Sequence, residues 1–214
     1  MPGRYSAQEE RAHTLIHGIG LLLSIGGLIT LMTTATRYHD PLHTISIVIY
    51  GATLILLYAS STLYHGIPHD RAKPVLRRLD HAAIFTLIAG TYTPFTLVNL
   101  RGIWGWSLFG LVWSIAIAGM ALELFARKRH KRLSIGLYLG LGWLVLIAIK
   151  PMLQSVEVNG LLLLLAGGLF YSFGVIFYVW RSLAYHHAIW HLFVLAGSAA
   201  HFVSVLFYVQ PPTP

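Results

Sequence analysis

Four pairs of histidines lie four residues apart along this chain, a spacing that could bring metal-binding side chains together. The pairs are His13/His17, His39/His43, His65/His69 and His187/His191. On a helix, residues four apart share a face, so two imidazoles at this spacing can bind one metal ion. The spacing alone does not identify a site, because four pairs share it. The chain has 12 histidines and no cysteine, which excludes disulfides, thiolate nucleophiles and cysteine-ligated zinc.

Seven apolar segments could position these side chains within a membrane. Hydrophobic residues make up 56% of the chain and charged residues only 10%, whereas a soluble domain carries about 25% charged residues. None of the segments alternates as a membrane strand does, and helices that cross a bilayer need roughly 20 residues. The segments lie at about 14–34, 45–64, 80–99, 102–124, 133–150, 158–180 and 188–209. The sequence predicts an all-α, polytopic seven-transmembrane-helix bundle, a single membrane domain over residues 1–214 with no cleaved secretion signal.

The distribution of positive charge predicts the orientation of these helices. The net charge is +8, and twelve Lys and Arg residues lie at the N-terminus and in the loops after the second, fourth and sixth segments. The other loops contain only Arg37, Arg101 and Lys150. Positively charged loops stay in the cytoplasm, so the N-terminus should be cytoplasmic and the C-terminus outside. The basic run at 127–132 is expected to contact anionic lipid as a topology anchor rather than to bind nucleic acid.

Three histidines, one aspartate and one serine are expected at the cytoplasmic end of the predicted helices. His65 ends the second segment, with Ser61 one turn before it, and Asp80 opens the third. His187 and His191 open the last segment, one helical turn apart, so all of these residues should share one depth. Three imidazoles and an open fourth position are typical of catalytic zinc, which acidifies a bound water. Asp80 would orient or deprotonate that water, and Ser61 would hydrogen-bond a bound oxyanion or water.

Other roles remain open for several of these groups. Asp80 could act only as an N-terminal helix cap or as an ion-pair partner of Arg77 and Arg78. His13 and His17 form a rival pair, because the first segment also begins at the cytoplasmic side. The sequence therefore leaves open a structural role for Asp80 and a different pair of histidines for the site.

Four other histidines are expected to lie outside the set of ligands. His39 and His43 fall in the predicted outer loop, where they should be solvated. His69 follows a proline beyond the second segment, so it should not share the face of His65. His201 lies deeper on the last segment, where a helix–helix hydrogen bond is expected, although a role next to the site is also open.

Short motifs in this sequence resemble those of the hemolysin III family. The motifs are Ser61–His65 (S-x-x-x-H), Arg78–His81 around the aspartate, and His187–His191 (H-x-x-x-H). The opening segment Glu9–Gly20 is also similar to that family's first motif. The family is related to the progestin and adiponectin receptors and, more distantly, to the alkaline ceramidases. The resemblance covers nearly the whole chain in motif order, helix count and orientation.

The resemblance implies a zinc site and roles for particular residues. Zinc would be held by the matches to the family's three histidines, His65, His187 and His191. Asp80 and Ser61 match the positions that the receptors place beside the zinc-bound water. One residue departs from the pattern: His13 stands where family members usually have asparagine.

Three functions are consistent with this sequence. The first is a zinc-dependent hydrolase of a lipid amide or ester at the inner leaflet, since related members are thought to hydrolyse lipid amides such as ceramide. The second is a cytolytic or pore-forming protein, as the family label suggests, although nothing here could keep the chain soluble before insertion. The third is a lipid-responsive receptor or sensor with structural zinc. The expected location is the cell membrane, the inner membrane of a bacterium, and the expected partners are membrane lipids and a lipid substrate or ligand. The oligomeric state is not indicated.

Overall fold

The computed structural model describes residues 5–126 and 131–211, and over these residues it is helical, without strands. Among these residues, seven helical spans are long and apolar enough to cross a membrane, as predicted, and the fifth span is built from two α-helices, so that eight α-helices are numbered here. The helices are α1 Ala7–Ala35, α2 Pro41–Gly66, α3 Lys73–Pro94, α4 Gly102–Phe125, α5 Lys131–Gly142, α6 Ile149–Ser155, α7 Val158–Val179 and α8 His186–Tyr208. A π-helical turn, Phe95–Asn99, continues α3. The basic residues Arg4, Arg127, Lys128 and Arg129 lie outside the described residues.

Three helices begin several residues before the apolar segments predicted for them. Ser6 accepts a hydrogen bond from the backbone N–H of Glu9, and the Glu9 carboxylate accepts one from the Ser6 N–H, a capping box that starts α1 at Ala7. Asp40 caps α2 by accepting a 3.0 Å hydrogen bond from the backbone N–H of His43. The third helix begins at Lys73 rather than at residue 80. Side-chain caps therefore begin α1 and α2 in polar stretches outside the hydrocarbon, whereas α3 has no side-chain cap and carries Pro74 in its first turn.

The fifth span, Lys131–Ser155, is not one continuous α-helix. Between α5 and α6 it tightens into a 3-10 turn over Leu144–Ala148. The hydroxyl of Tyr92 on α3 accepts a 2.8 Å hydrogen bond from the backbone N–H of Val145 and donates to the carbonyl of Leu141 at 3.0 Å. Tyr92 therefore satisfies backbone groups that the break leaves without helical partners, as a membrane interior requires.

The order in which the helices pack brings the first and last helices into contact. The second helix packs between α1 and α3, and α8 packs against both α7 and α1. Tyr58 of α2 is buried and donates a 2.8 Å hydrogen bond to the hydroxyl of Ser198 on α8. Gly20 of α1 lies directly against the Tyr58 ring, where a Cβ would overlap it. Gly20 thus lets α1 and α2 approach closely, and the hydrogen bond from Tyr58 to Ser198 joins α2 to α8.

Gly105 of α4 packs so closely on the π-helical turn that it leaves no room for a side chain. A Cβ at this position would overlap the backbone oxygen of Thr96, which cannot rotate away. Gly105→Ala should therefore lower the free energy of unfolding by about 1–3 kcal/mol. Gly110→Ala is the matched control on the same helix, because nothing lies within 4 Å of its added methyl group. It should be neutral or stabilising by up to about 1 kcal/mol. Thermal unfolding in detergent measures both, and equal shifts would contradict this account of the packing.

Candidate metal centre

Four buried histidines from α1, α2 and α8 converge at the end of the bundle where α1 begins. They are His13 of α1, His65 of α2, and His187 and His191 of α8. Their ring centroids lie between 4.4 and 5.3 Å apart for every pair. Within this group, His13, His65 and His191 each offer a ring nitrogen within 4.8 Å of the other two. These three residues could hold a metal ion.

The helix boundaries explain why these rings meet at one depth. His65 lies in the last turn of α2, and His187 and His191 lie in the first two turns of α8. The capping box extends α1 far enough that His13 lies within a regular helix, with His17 one turn further along the same face. Because α1 contacts both α2 and α8, its buried face is directed at the histidines of those two helices.

Two outer partners orient the central nitrogens of the cluster. The Nδ1 of His65 lies 2.6 Å from Oε2 of Glu10, and the Nδ1 of His191 lies 2.6 Å from Nε2 of His17. If each Nδ1–H donates to its partner, the Nε2 lone pairs of His65 and His191 face each other across 3.3 Å. Metal-binding histidines are held in this way by an acceptor on the other ring nitrogen.

Several buried polar atoms at the cluster have no hydrogen-bond partner, and they indicate whether a metal ion fits there. Both ring nitrogens of His13, the Nδ1 of His187 and the Oγ of Ser61 are buried without a hydrogen-bond partner. Buried polar atoms are rarely left in this state, and a bound ion would occupy the imidazole lone pairs. A set of neutral imidazoles suits zinc, copper, iron or nickel. The residues therefore fit a transition-metal ion without specifying which one.

The ligand set predicted from the sequence, His65, His187 and His191, is brought together by the fold. The group whose ring nitrogens all lie within 4.8 Å of one another nevertheless contains His13 and not His187, whose ring lies 4.4 Å from that of His191. Ser61 is fully buried, one turn from His65. Which of these groups are ligands, and which act in catalysis, stays a prediction.

Asp80 lies inside the third helix and not at its start. Because α3 begins at Lys73, the interpretation of Asp80 as an N-terminal cap is wrong. Its side chain is buried and lines an internal cavity together with His187 and His191. Asp80 and these two histidines therefore share one space within the bundle.

The other histidines are placed by helix ends and helix contacts. His43 is buried and donates a hydrogen bond to the carbonyl of Val209 across 3.2 Å, so the expectation that it is solvated is wrong. It lies inside α2, which Asp40 caps, rather than in a loop. His201 donates to the carbonyl of Leu164 at 3.0 Å, the expected helix–helix hydrogen bond. His69 is exposed beyond the end of α2.

Sequence reasoning missed two residues that enclose the cluster. Glu10 pairs with the Nζ of Lys73 at 3.0 Å as well as with His65, and Lys73 also donates to the Tyr64 carbonyl. The ring of Tyr5 stacks on that of His187, with centroids 5.0 Å apart. Burial raises the pKa of the Tyr5 phenol, so this ring covers the cluster as a neutral group. The spacing of Glu10 three residues before His13, on one helix face, was the available signal.

The cluster separates two cavities of different character. The first, of about 860 Å³, is open at the end of the bundle where α1 begins, and His65 lines it with Glu10, Arg11 and Lys73. The second, of about 140 Å³, lies among α2, α3, α5, α7 and α8 and is predominantly apolar apart from the groups at the cluster. It shares Tyr92 and other lining residues with a further apolar cavity of about 420 Å³ toward the opposite end.

Sequence comparison shows the family of proteins to which this chain is similar. The model of a family described as Haemolysin-III related matches residues 5–202. The chain belongs to the haemolysin-III family. Among its haemolysin-III relatives, the Bacillus cereus protein named Hemolysin-3 is 46% identical over 95% of this chain and 93% of the relative. The Hemolysin-3 homolog of Bacillus subtilis (strain 168) is 48% identical over 95% of this chain and 96% of the relative.

A more distant similarity extends to an animal protein. The human monocyte to macrophage differentiation factor is 28% identical over 63% of this chain and 56% of its own length. The haemolysin-III relationship and the seven apolar helical spans together show that the chain is a multi-pass membrane protein. Its buried histidines His13, His65 and His191 could bind a metal ion.

Proposed function

We propose that this haemolysin-III protein is a zinc-dependent hydrolase that cleaves an amide or ester bond of a membrane lipid at the inner leaflet. The observation that carries the proposal is the position of the buried histidines between a polar, open cavity and an apolar, internal one. A lipid has the same division, with its scissile carbonyl at the junction of head group and acyl chain. A lipid bound across both cavities would present that carbonyl to the histidine cluster.

The residues around the cluster supply the groups that such a reaction needs. Zinc held by His65, His187 and His191 would polarise the carbonyl and acidify a water. Asp80 shares the internal cavity with two of these histidines, which supports a role in holding or accepting the proton of that water. Ser61, whose buried hydroxyl has no hydrogen-bond partner, could donate to a developing oxyanion.

The charge distribution supports the proposed orientation and location. Twelve of the 15 Lys and Arg residues belong to the side of the N-terminus, so the open cavity would face the cytoplasm and the site would lie in the inner leaflet of the cell membrane. Arg11 and Lys73 line that cavity, where they could contact polar head groups. We propose the cell membrane of a bacterium as the location, which is the inner membrane where a second membrane surrounds it, and the Bacillus relatives support a bacterial setting.

A second function is favoured by one specific observation. The ring of His13 lies as close to the other three histidines as they lie to one another, so a fourth imidazole is present where a catalytic site keeps an open position. A metal enclosed by four protein ligands is typical of structural sites. This observation supports a lipid-responsive receptor or sensor with structural zinc as the alternative. The cytolytic activity suggested by the name Hemolysin-3 is a third outcome to test.

Hydrolysis can be tested with purified protein reconstituted in lipid nanodiscs. Labelled amide lipids (a ceramide) and ester lipids (a monoacylglycerol) should each be offered, with release of fatty acid as the readout. We expect one class to be cleaved, cleavage to fall to background after zinc removal with a chelator, and cleavage to return with added zinc. Protein that binds zinc but cleaves neither class would support the sensor, and dye leakage from vesicles without cleavage would support cytolysis.

A further inference from the structure

We propose that His13 is a fourth metal ligand that closes the site in its resting state, so that a lipid or water reaches the metal only when His13 withdraws. This inference rests on the metal site of the proposed function and concerns the regulation of that site. Three histidine ligands would leave a fourth position for a further group, and the ring of His13 lies 4.6 to 5.3 Å from the rings of His65, His187 and His191.

The arrangement of the four rings matches a tetrahedron. The six distances between ring centroids of His13, His65, His187 and His191 run from 4.4 to 5.3 Å. In tetrahedral zinc sites, bond lengths of about 2.0–2.1 Å separate ligand nitrogens by about 3.3–3.4 Å and imidazole centroids by about 5 Å. The one Nε2–Nε2 distance that lies within hydrogen-bond range, between His65 and His191, is 3.3 Å. The four ring centroids thus have the spacing of imidazoles around one metal ion, and three of the rings, those of His13, His65 and His191, offer nitrogens within 4.8 Å of one another.

His13 has no other interaction to occupy its ring nitrogens. It is fully buried, with 0% of its surface exposed, and neither nitrogen has a hydrogen-bond partner. The nearest carboxylate, that of Glu10, is 3.8 Å from Nδ1 and is already engaged by His65 and Lys73. Tyr5 packs edge-on against the His13 ring with centroids 4.8 Å apart, which holds the ring toward the cluster. A buried imidazole in this state is costly unless it binds something.

The position of His13 determines how a lipid could reach the metal. His187 and His191 line the internal apolar cavity, whereas His13 does not. An acyl chain could therefore reach the cluster from the membrane interior while His13 occupies the remaining ligand position. Withdrawal of His13 would open that position to water or to the head group.

Cobalt(II) substitution tests His13 as a ligand without any measure of hydrolysis. In His13→Cys, a thiolate at this position should bind cobalt and produce a near-ultraviolet sulfur-to-cobalt charge-transfer band. His43→Cys is the matched control, because His43 is equally buried but bonds to the carbonyl of Val209 on another part of the bundle. It should show no such band. Absence of the band in a folded, cobalt-loaded His13→Cys protein would overturn the inference.

A second measurement asks whether the site is closed in the wild type and uses His13→Asn as the open comparison. Azide should bind cobalt in His13→Asn and change its visible spectrum. At azide concentrations that saturate this change, the spectrum of the cobalt-loaded wild type should stay the same, so that azide binds the wild type at least tenfold more weakly. Equal azide binding by both proteins would mean that the fourth position is already open, and the inference would be wrong. If the wild-type site is open and the protein cleaves lipid, the proposed hydrolase is supported although His13 is not a ligand. If the wild-type site is closed and neither protein cleaves lipid, His13 is a ligand and the proposed hydrolase is wrong.

Discussion

Replacing His191 with alanine should remove zinc from the purified protein, whereas replacing His43 should leave zinc in place. The wild type should contain about one zinc per chain, and His191→Ala less than about a tenth of that. His191 is central to the cluster: its Nε2 lies 3.3 Å from that of His65, and its Nδ1 is held by His17 at 2.6 Å. Loss of a direct ligand should weaken zinc binding more than the 10–100-fold typical of changes to a ligand's outer partner.

His43→Ala controls for the loss of a buried histidine from the bundle. His43 is as buried as His65, but it lies at the start of α2, whereas His65 lies at its end. Metal analysis by mass spectrometry, combined with thermal unfolding, separates loss of zinc from loss of structure. Equal zinc loss in both variants, or full zinc content in a folded His191→Ala protein, would show that the histidine cluster is not the zinc site.

Replacing Asp80 with asparagine should lower the rate of lipid cleavage by about 10²–10⁴-fold, the usual contribution of a general acid or base. Asparagine has nearly the same shape but cannot accept the proton at neutral pH. Asp80 does not belong to the group of side chains whose possible ligand atoms lie within 4.8 Å of one another, so zinc content should stay near that of the wild type. Turnover and zinc content are therefore expected to separate in this variant.

Glu157→Gln is the matched control for Asp80→Asn, because it also replaces a carboxylate with its amide. Glu157 is exposed and precedes α7, at the other end of the bundle, so cleavage and zinc content should not change. Initial rates from fatty acid release, measured at saturating lipid, give the comparison. Cleavage by Asp80→Asn at the wild-type rate would assign the proton transfer to another group and remove Asp80 from the proposed chemistry.

The membrane-spanning helices could be predicted because a bilayer imposes a length and a hydropathy that the sequence must satisfy. The same argument placed His65, His187 and His191 at one depth, which the fold confirms by bringing them together. Depth alone does not say which helices touch. The contact of α1 with both α2 and α8 depends on the shapes of facing side chains, and it is this contact that brings His13 into the cluster.

Local hydrogen bonds explain the features that hydropathy did not predict. The capping box at Ser6 and the Asp40 cap begin α1 and α2 in polar sequence, outside the apolar segments. His43 was misplaced for this reason. Likewise, the break in the fifth span depends on Tyr92, which is 53 residues from Val145 in sequence. Such partners are set by tertiary structure and leave no periodic pattern in either segment.

The histidine cluster joins the first and last membrane helices of the chain, and this has a consequence for how the protein is made. His17 of α1 and His191 of α8 have ring centroids only 3.6 Å apart, yet α1 is synthesised first and α8 last. A nascent chain arrested before α8 would lack both His187 and His191. Metal uptake would thus be the final event of biogenesis, and a loaded centre would mark a chain whose every span has been inserted.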